Sequence, residues 1–531
     1  MACNVGLVPE CTDQCQRTVA GCVAPLALGR RELLDPFPNQ SRDGRPAEPC
    51  HLAQHPFLIR RELYLYTVHA IILAASDGMA QDMVPTASPS GAAGDSNQPR
   101  NSSGMLAKRD VVKLARERNV RFVRLVFADI FGVSKNVSIP VDALEYALEG
   151  RVTFDGGSID GFVRGEELDM LLKPDPATFA IYPWPAGEGT EARLICDIAM
   201  PDGSPFEGCP RTTLRRAVES ATSLAGLRIG LEVEFFLFDK LAGDGASTST
   251  SDVGSYFDFS ASDRGEEARN AIVAALQSMG VRIASAHHEH GAGQHEIDLA
   301  HDDPLTAADN ALTLRTIAKH VAAGFSLEAT FMPKPLEDRA GNGLHVDFRL
   351  AEGSDDATAL YVVGGLLAHA PATTAICNPT VNSYKRLVAA WDAPVYAVWS
   401  ERSANALVRV PPAQSPPRVE MRSPDPACNP YLALAVLIGA AADGIAHGTL
   451  PGPAMTGSTY ELSDRDRHER RIGMLPKSLR QAITELDADS VVRAALGDHL
   501  YHAFRDAKLA EYERYRRAVH PWEREQYLRL Y

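Results

Sequence analysis

Apolar residues repeat at helical spacing in eight segments of the chain. A spacing of three and four residues between apolar positions is typical of helices that cover a core. It predicts helices at 109–119, 141–150, 211–226, 265–279, 304–324, 355–371, 428–447 and 475–517.

Shorter segments rich in β-branched and aromatic residues lie between these helices. They predict strands at 120–132 (two segments with a turn), 177–184, 192–200, 227–239, 286–290, 294–299, 326–332, 344–350, 407–411 and 418–423. The mixture predicts an α+β protein with a small domain at 108–202 and a larger domain at 207–531. Residues 79–104 are rich in Ser, Pro, Gly and Ala and lack an apolar period, so residues 1–103 are expected to be a disordered or misassigned extension.

Composition excludes several classes of protein. The 531 residues are 45% hydrophobic and carry a formal net charge of −15 without a basic block, which argues against nucleic-acid binding. We find no uncharged apolar run of about 18 to 20 residues, so no membrane span is expected and the cytoplasm is the default compartment. Five of the nine cysteines lie in the first fifty residues, which is not the distribution of a disulfide framework.

Acidic residues recur on strands that are otherwise apolar. Side chains alternate along a strand, so Glu232 and Glu234 share one face of 227–239. The other segments of this kind contribute Glu289, Glu296, His345, Asp347 and Glu420. Each acid alone could be an ordinary solvated side chain. A convergent cluster would require a cation, and oxygen ligands with one imidazole favour Mg²⁺ or Mn²⁺ over zinc.

Six motifs carry a family resemblance. They are DGGSIDGF, LEVEFFLFD, HHEHGAGQHEIDL, GNGLHVDF, NPTVNSYKRLV and RVEMRSPDPACNPYLALA. Their order and approximate spacing resemble those of glutamine synthetases, including the γ-glutamyl-amine ligases of the same fold, over residues 110–531. The resemblance implies a small N-terminal β-grasp domain followed by a large glutamine-synthetase-type catalytic domain.

The resemblance also implies a metal site and its ligands. One metal would be held by Glu234, Glu289 and Glu296, and the other by Glu232, Glu420 and His345. Two Mg²⁺ or Mn²⁺ ions per site and ATP as co-substrate are therefore expected.

Further roles follow from the same resemblance. Arg386 would bind the α-carboxylate of glutamate, Arg422 would lie near the acyl phosphate, and Gly341 would let the backbone approach the substrate. Arg409 and Arg418 match arginines that contact ATP. The catalytic carboxylates would be Asp392, on a flap, and Asp155, from the small domain of a neighbouring subunit. A shared site of this kind implies self-association, expected as a dodecamer of two hexameric rings.

Five positions depart from the family pattern. Asp392 in AWDAP replaces a glutamate, Ala404 in SANA replaces an arginine, and Ala340 replaces an asparagine. Asp347 stands where a histidine is common and Arg349 where a serine is. Metal ligands are retained while substrate contacts change, which favours a ligase that activates the γ-carboxylate of glutamate or a close analogue and joins it to a small amine.

Other interpretations remain open at this point. They are glutamine synthetase itself with ammonia, a metallohydrolase that uses the same carboxylates, and a noncatalytic structural or regulatory relative. Tyr460 lies where some bacterial relatives are adenylylated, but the residues around it favour an ordinary packed tyrosine.

Overall fold

The computed structural model describes residues 107–161, 169–240, 247–259, 263–412 and 414–531. The predicted extension at 1–103 and the linker at 79–104 lie outside the described residues.

The small domain is built on a six-stranded sheet of order β2-β1-β6-β4-β3, with β5 also paired to β6. Its strands are β1 (Val120–Ala128), β2 (Ser134–Pro140), β3 (Thr153–Asp155), β4 (Asp169–Pro174), β5 (Ala180–Ala186) and β6 (Gly189–Ala199). The pair β1 and β6 is parallel, and the other pairs are antiparallel. Helices α1 (Lys108–Glu117) and α2 (Leu144–Leu148) contribute apolar side chains to the core of this sheet.

The large domain contains an eight-stranded sheet of order β12-β13-β14-β11-β7-β9-β8, with β10 also paired to β7. Its strands are β7 (Arg228–Asp239), β8 (Ile283–His288), β9 (Gln294–Asp302), β10 (Leu327–Thr330), β11 (Leu344–Arg349), β12 (Trp399–Ser400), β13 (Val408–Arg409) and β14 (Arg418–Met421). On β7, Leu231, Val233 and Phe235 enter the main apolar core. Alternation then turns Glu232 and Glu234 to the opposite face.

Helices accompany these strands in the large domain, and most of them pack around that core. They are α3 (Pro210–Ser220), α4 (Arg264–Ser278), α5 (Pro304–Gly324), α6 (Asp356–Ala368), α7 (Ala370–Cys377), α8 (Ser383–Arg386), α9 (Pro430–His447), α10 (Asp464–Arg470), α11 (Leu479–Ala488), α12 (Ser490–Leu496), α13 (Asp498–Arg517) and α14 (Pro521–Tyr527). The predicted α+β organisation is confirmed.

Two predicted helices are interrupted. The segment predicted as one helix at 475–517 forms α11, α12 and α13, because Asp489 caps the start of α12 and Gly497, at φ 79°, ends it. The segment predicted at 355–371 ends at Ala368 and continues as α7 at an angle of 74°. The first break depends on a side-chain cap, and the second has no such cap but places Pro371 in the first turn of α7. Apolar periodicity records neither feature.

Helix α9 is the one described helix whose length and hydropathy would suit a membrane span. Of this 18-residue helix, 67% is buried, and its apolar side chains pack into the large core. Its hydropathy therefore follows from its place in the core.

Arg211 joins the two domains. Its guanidinium pairs with Asp175 and Asp197 of the small domain and, through two hydrogen bonds of 3.0 Å, with Asp309 of α5. The side chain is 4% exposed, so this network lies in the interior and fixes the small sheet against the large domain.

Candidate active site

Carboxylates from β7, β9 and β14 meet a histidine from β11 on the polar face of the large sheet. Glu232 of β7 is in register with His345 of β11, and Glu234 of β7 is in register with Glu296 of β9. Glu420 of β14 lies beyond β11, and Glu289 follows the end of β8. The structure therefore brings together all six residues that the sequence analysis assigned as metal ligands.

His345 is at the centre of this cluster. Its Nδ1 lies 2.9 Å from Oε2 of Glu232 and 3.8 Å from Oε1 of Glu420, while its Nε2 lies 3.9 Å from Oε1 of Glu234. Ligand atoms of Glu232, Glu296 and His345 all lie within 4.8 Å of one another, so a single cation could contact residues from both implied ligand sets.

Glu420 carries the strongest positive surroundings. It is fully buried, and Arg409 donates to its Oε2 from Nε at 2.6 Å. Arg422 donates to its Oε1. Because one carboxylate offsets only one of the two guanidinium charges, a net positive charge remains at the polar face of the sheet. An anionic substrate could be bound there.

The carboxylates of the cluster differ in their titration. Burial opposes ionisation of Glu232, but the hydrogen bond and charge of His345, with Arg422 and Arg409, lower its pKa to about 2. Burial and the charge of Glu289 raise the pKa of Glu234. Burial, followed by the charges of Glu234 and Asp298, raises the pKa of Glu296 well above its ordinary value. These buried carboxylates repel one another, and the protein groups around them supply too little positive charge to offset this repulsion. A divalent cation would stabilise their ionised forms.

Glycine at position 343 allows the cluster to close. A Cβ atom at Gly343 would lie 2.8 Å from Nη2 of Arg386, 3.0 Å from Nε2 of His345 and 3.1 Å from Oε1 of Glu234. The backbone N–H of Gly343 donates to Glu234 at 2.9 Å. At Gly341, the corresponding Cβ would meet the carbonyl oxygen of Pro333 at 2.5 Å, so a side chain is excluded there as well.

Sequence reasoning did not assign Gln294. It is fully buried, and its amide nitrogen donates to Glu234, to the carbonyl of Gly341 and to Asn342, each at 3.1 Å. It thereby fixes Glu234 relative to the loop at 341–343. The available signal was a glutamine two residues before Glu296 on the same face of a strand.

The histidines beside Glu289 were also not assigned. His287 lies 3.7 Å from Glu289 and 3.3 Å from Glu296, and His290 lies 2.9 Å from Glu289. Asp298 follows Glu296 on the same face of β9, and it forms a possible cation-binding group with His287 and Glu296. The motif HHEH contained this signal, because alternation places His287 and Glu289 on one face.

Arg386 and Arg422 lie behind the loop at 341–343. Arg386 is 6% exposed and donates to the carbonyl oxygens of Arg422 at 3.1 Å and Ser423 at 2.7 Å. The side chain of Arg422 is 13% exposed, and its Nε has no hydrogen-bond partner among the described residues. Arg386 is thus held rigidly, while Arg422 retains a donor beside the cluster.

Arg418 and Arg409 differ in their partners. Arg418 pairs with the buried carboxylate of Asp347, whose Oδ2 also lies 3.3 Å from Nε2 of His301. Burial, with the charges of Arg418 and Arg349, lowers the pKa of His301 to about 4, so His301 is neutral at pH 7. Asp347 therefore forms its ion pair with Arg418, while His301 is a neutral neighbour.

The two predicted catalytic carboxylates lie outside the cluster. The carboxylate of Asp155, at the end of β3, accepts hydrogen bonds from Gly157 at 2.8 Å and Ser158 at 3.4 Å, both within its own turn. Asp392 is exposed on the loop after α8, where it has a φ of 57°. Neither is brought to the cluster by contacts of the described residues.

The donor set fits divalent cations. Oxygen atoms from five glutamates and one imidazole nitrogen converge on a largely buried site, and the like charges among them require a positive partner. The side chains that could hold such ions are those of Glu232, Glu234, Glu289, Glu296, His345 and Glu420.

Comparison with protein families covers both domains. Residues 119–201 match the model described as glutamine synthetase, beta-Grasp domain. Residues 207–527 match the model described as glutamine synthetase, catalytic domain.

Curated proteins and solved structures agree with these matches. The chain is 44% identical over 442 residues to a glutamine synthetase of Thermus thermophilus, covering 80% of this chain and 99% of the relative. It is 43% identical over 438 residues to a glutamine synthetase of Clostridium saccharobutylicum, with the same coverage.

A solved GmaS/ADP complex matches with a TM-score of 0.70 and 30% identity over 79% of this chain and 99% of that one. A glutamine synthetase of Plasmodium falciparum shares the fold, with a TM-score of 0.71 at 23% identity, over 79% of this chain and 98% of that one.

Proposed function

Because the chain belongs to the glutamine synthetase family, and is therefore an ATP-dependent carbon–nitrogen ligase, we propose that it activates the γ-carboxylate of glutamate and joins it to a small primary amine. The observation that carries this proposal is that all six cluster residues are present, whereas residues that usually contact the substrate in the family are replaced, as at Ala340, Asp392 and Ala404. A relative without activity would be free to lose cluster residues, whereas a relative with a new acceptor would keep them.

The proposed reaction has two steps. A γ-carboxylate oxygen of glutamate attacks the terminal phosphorus of ATP, ADP leaves, and γ-glutamyl phosphate remains. The amine nitrogen then attacks the acyl carbon, the C–O bond to phosphate breaks, and phosphate leaves. The amine gives one proton to a carboxylate base, for which Asp155 and Asp392 are the proposed groups.

Residues of the chain have separate roles in these steps. Arg386 is proposed to hold the α-carboxylate of glutamate and Arg422 to stabilise the transferred phosphoryl group. Arg409 and Arg418 are proposed to bind the phosphates of ATP, since guanidinium groups pair well with phosphate oxygens. When bound by the glutamate cluster, two Mg²⁺ or Mn²⁺ ions supply the positive charge that offsets the charge developing on the phosphoryl oxygens.

Two departures support an amine larger than ammonia. Asp392 is one methylene shorter than the glutamate usual in the family, which leaves more space beside the flap. Ala404 is small and exposed where the family usually has an arginine. Both changes remove side-chain volume near the proposed acceptor and phosphate positions.

Glutamine synthesis from ammonia is the second candidate. The curated relatives at 43% and 44% identity are named glutamine synthetase, and this similarity favours ammonia as the acceptor. Because the GmaS structure is only 30% identical to the chain, overall similarity does not decide between the two acceptors.

Phosphate release separates the candidates. Purified protein is incubated with Mg·ATP and glutamate plus ammonia, ethanolamine or a polyamine, and the amide product is identified by mass spectrometry. We expect the highest kcat/KM with one of the amines. Preference for ammonia would support the second candidate, and no release with any acceptor would exclude the ligase proposal. The Glu232→Ala variant serves as the control for turnover that depends on the cluster.

A self-associated enzyme is part of the proposal. Asp155 does not reach the cluster within one chain, so its proposed role needs a neighbouring subunit. A dodecamer of two hexameric rings is the expected assembly, and light scattering of the purified protein measures it.

A further inference from the structure

The turn at Ala390–Ala393 has a strained backbone. Its two central residues, Trp391 and Asp392, have φ angles of 49° and 57°, in the left-handed region that disfavours residues with a Cβ atom. The turn is closed by a hydrogen bond of 3.2 Å from the N–H of Ala393 to the carbonyl of Ala390. We call these four residues the flap turn. Two successive non-glycine residues in this conformation require support from outside the turn.

Tyr460 supplies part of that support. Its hydroxyl oxygen lies 2.7 Å from the carbonyl oxygen of Ala393 and 3.3 Å from that of Ala390, so the phenol donates to the first and last residues of the flap turn. Burial, followed by the charge of Asp392, raises the pKa of Tyr460. The hydroxyl therefore keeps its proton, and remains a donor, throughout the physiological pH range.

Tyr460 is itself fixed by Asn405, which is 6% exposed. The side-chain oxygen of Asn405 accepts from the backbone N–H of Thr459 at 2.9 Å, and its amide donates to Ser458 at 3.0 Å. The backbone carbonyl of Asn405 accepts from the hydroxyl of Thr459 at 3.2 Å. Three hydrogen bonds thus attach the short helical turn that bears Tyr460 to the SANA segment, one residue from the altered position Ala404.

On its other side, the flap turn contacts Lys334 through the ring of Trp391. Its ammonium group lies 3.9 Å from the ring centroid of Trp391. The backbone of Lys334 exchanges two hydrogen bonds with the side chain of Asn382, at 2.7 and 3.0 Å. The flap turn is therefore held at two points, by a hydroxyl on its backbone and by a cation on its aromatic side chain.

We propose that Tyr460 is a positioning residue that holds the flap turn in the conformation that presents Asp392, with Asn405 as its anchor. This inference rests on the proposed function, because the role of Asp392 does. The SANA segment then positions Tyr460 through Asn405, whereas in the family this segment usually contributes an arginine, at position 404.

Loss of the hydroxyl should change how each catalytic cycle ends. When the flap turn is released, water reaches the proposed γ-glutamyl phosphate more often. A water oxygen then attacks the acyl carbon, phosphate leaves, and glutamate is regenerated with a proton passed to solvent. ATP is consumed without amide formation, so Tyr460→Phe should raise the ratio of phosphate released to amide formed.

The test compares Tyr460→Phe with Tyr396→Phe in the full chain. Tyr396 is close to the flap turn in sequence, and its ring packs against Arg467 at 5.2 Å, but no hydrogen bond joins its hydroxyl to the flap turn. Hydrogen exchange of the peptide covering 388–396 is measured with phosphate release and amide yield. Removal of one hydrogen bond should speed exchange in this peptide by about threefold to tenfold. Tyr396→Phe should leave it unchanged.

Faster exchange in Tyr460→Phe, together with a higher ratio of phosphate released to amide formed, supports the proposal. Unchanged exchange, or faster exchange with an unchanged ratio, overturns it. If the unaltered protein forms no amide with any amine, the proposed function fails. The exchange measurement then still decides whether Tyr460 holds the flap turn.

Discussion

Asp347 of β11 forms an ion pair with Arg418 of β14, with the carboxylate 2% exposed between two neighbouring strands. The pair is diagonal, because Asp347 stands opposite Glu420 in the register and Arg418 stands opposite Arg349. One of the two arginines proposed to bind ATP is therefore neutralised by a buried acid, at a position where the family commonly has a histidine.

Replacement of Asp347 by histidine should increase the affinity for ATP. A negative charge paired with an arginine proposed to bind the phosphates is removed, so Arg418 no longer shares its guanidinium with a carboxylate. We expect the KM for ATP to fall by about threefold to tenfold at low salt. Steady-state kinetics with varied ATP measures it. Glu328→Gln, which removes one charge at the exposed position of β10, is the control, and an unchanged or higher KM would contradict the assignment of Arg418.

The sequence predicted most of the cluster because the signal was local. Each of the proposed ligands except Glu289 stands on a strand whose side chains alternate, and pairing of neighbouring strands brings together residues such as Glu232 and His345. Gln294 was missed because its role depends on the loop at 341–343, which is distant in sequence. The pair of Asp347 and Arg418 was missed for a related reason, since only the strand register reveals it.

Helix boundaries were less predictable than the site. The break at Asp489 and Gly497 depends on a side-chain cap and one positive φ angle, and neither interrupts the apolar period. The contact of Tyr460 with the flap turn could not be predicted either, because hydrogen bonds to backbone carbonyls leave no pattern in the sequence.

Removal of one carboxylate from the cluster should reduce stabilisation by metal. Glu289→Gln removes a charge that raises the pKa of Glu234, so the variant should fold, but it should bind divalent cations weakly. A ligand present at about 100 times its Kd stabilises the folded state by about 2.7 kcal/mol. Calorimetry should show that Mg²⁺ raises the Tm of the unaltered protein and of Glu328→Gln by more than it raises that of Glu289→Gln, because the second ligand set remains in the variant. Equal Mg²⁺ shifts in all three proteins would argue against a role for Glu289 as a ligand.

A histidine at the break between α6 and α7 should make stability depend on pH. Nδ1 of His369 lies 2.7 Å from Asp489 and its Nε2 lies 3.1 Å from Asp443, which also pairs with His447. The hydrogen bond to Asp489 raises the pKa of His369 against the opposing effect of burial. Because the folded-state pKa is raised, the stabilisation is complete below the unfolded value of about 6.5 and is lost as pH rises through the folded value.

The His369→Gln variant tests this dependence. It should destabilise the protein by about 1 kcal/mol more at pH 5.5 than at pH 9. Thermal unfolding at the two pH values gives the difference in Tm for each protein. His447→Gln, at the 70% exposed partner of Asp443, should show a much smaller difference. A His369→Gln effect that does not change with pH would contradict the charged pair.

Arg211 should be the most important single charge for the packing of the two domains. Arg211→Met leaves Asp309 buried without its guanidinium and removes one of the two arginines on Asp197. Loss of one partner from a buried ion pair typically destabilises by about 3 to 5 kcal/mol. Arg215→Met is the control, because Arg215 is 34% exposed and contacts only Asp197 in this network. Chemical denaturation should separate the two variants clearly, and similar losses would show that Arg211 has no special role.

A methyl group at Gly343 should stop catalysis with little effect on the fold. The new Cβ would lie 2.8 Å from Arg386 and 3.1 Å from Glu234, so either the arginine or the carboxylate must move away from the cluster. Displacement of groups that position a substrate by about 1 Å can reduce the rate by about 100-fold. Gly452→Ala is the matched control, because a Cβ atom there meets nothing within 4 Å. We expect Gly343→Ala to lower kcat/KM by about 100-fold while its Tm stays close to that of Gly452→Ala. If Gly343→Ala keeps full activity, the site must be able to widen without losing its geometry, and this would contradict the proposed roles of Glu234 as a metal ligand and of Arg386 in holding glutamate.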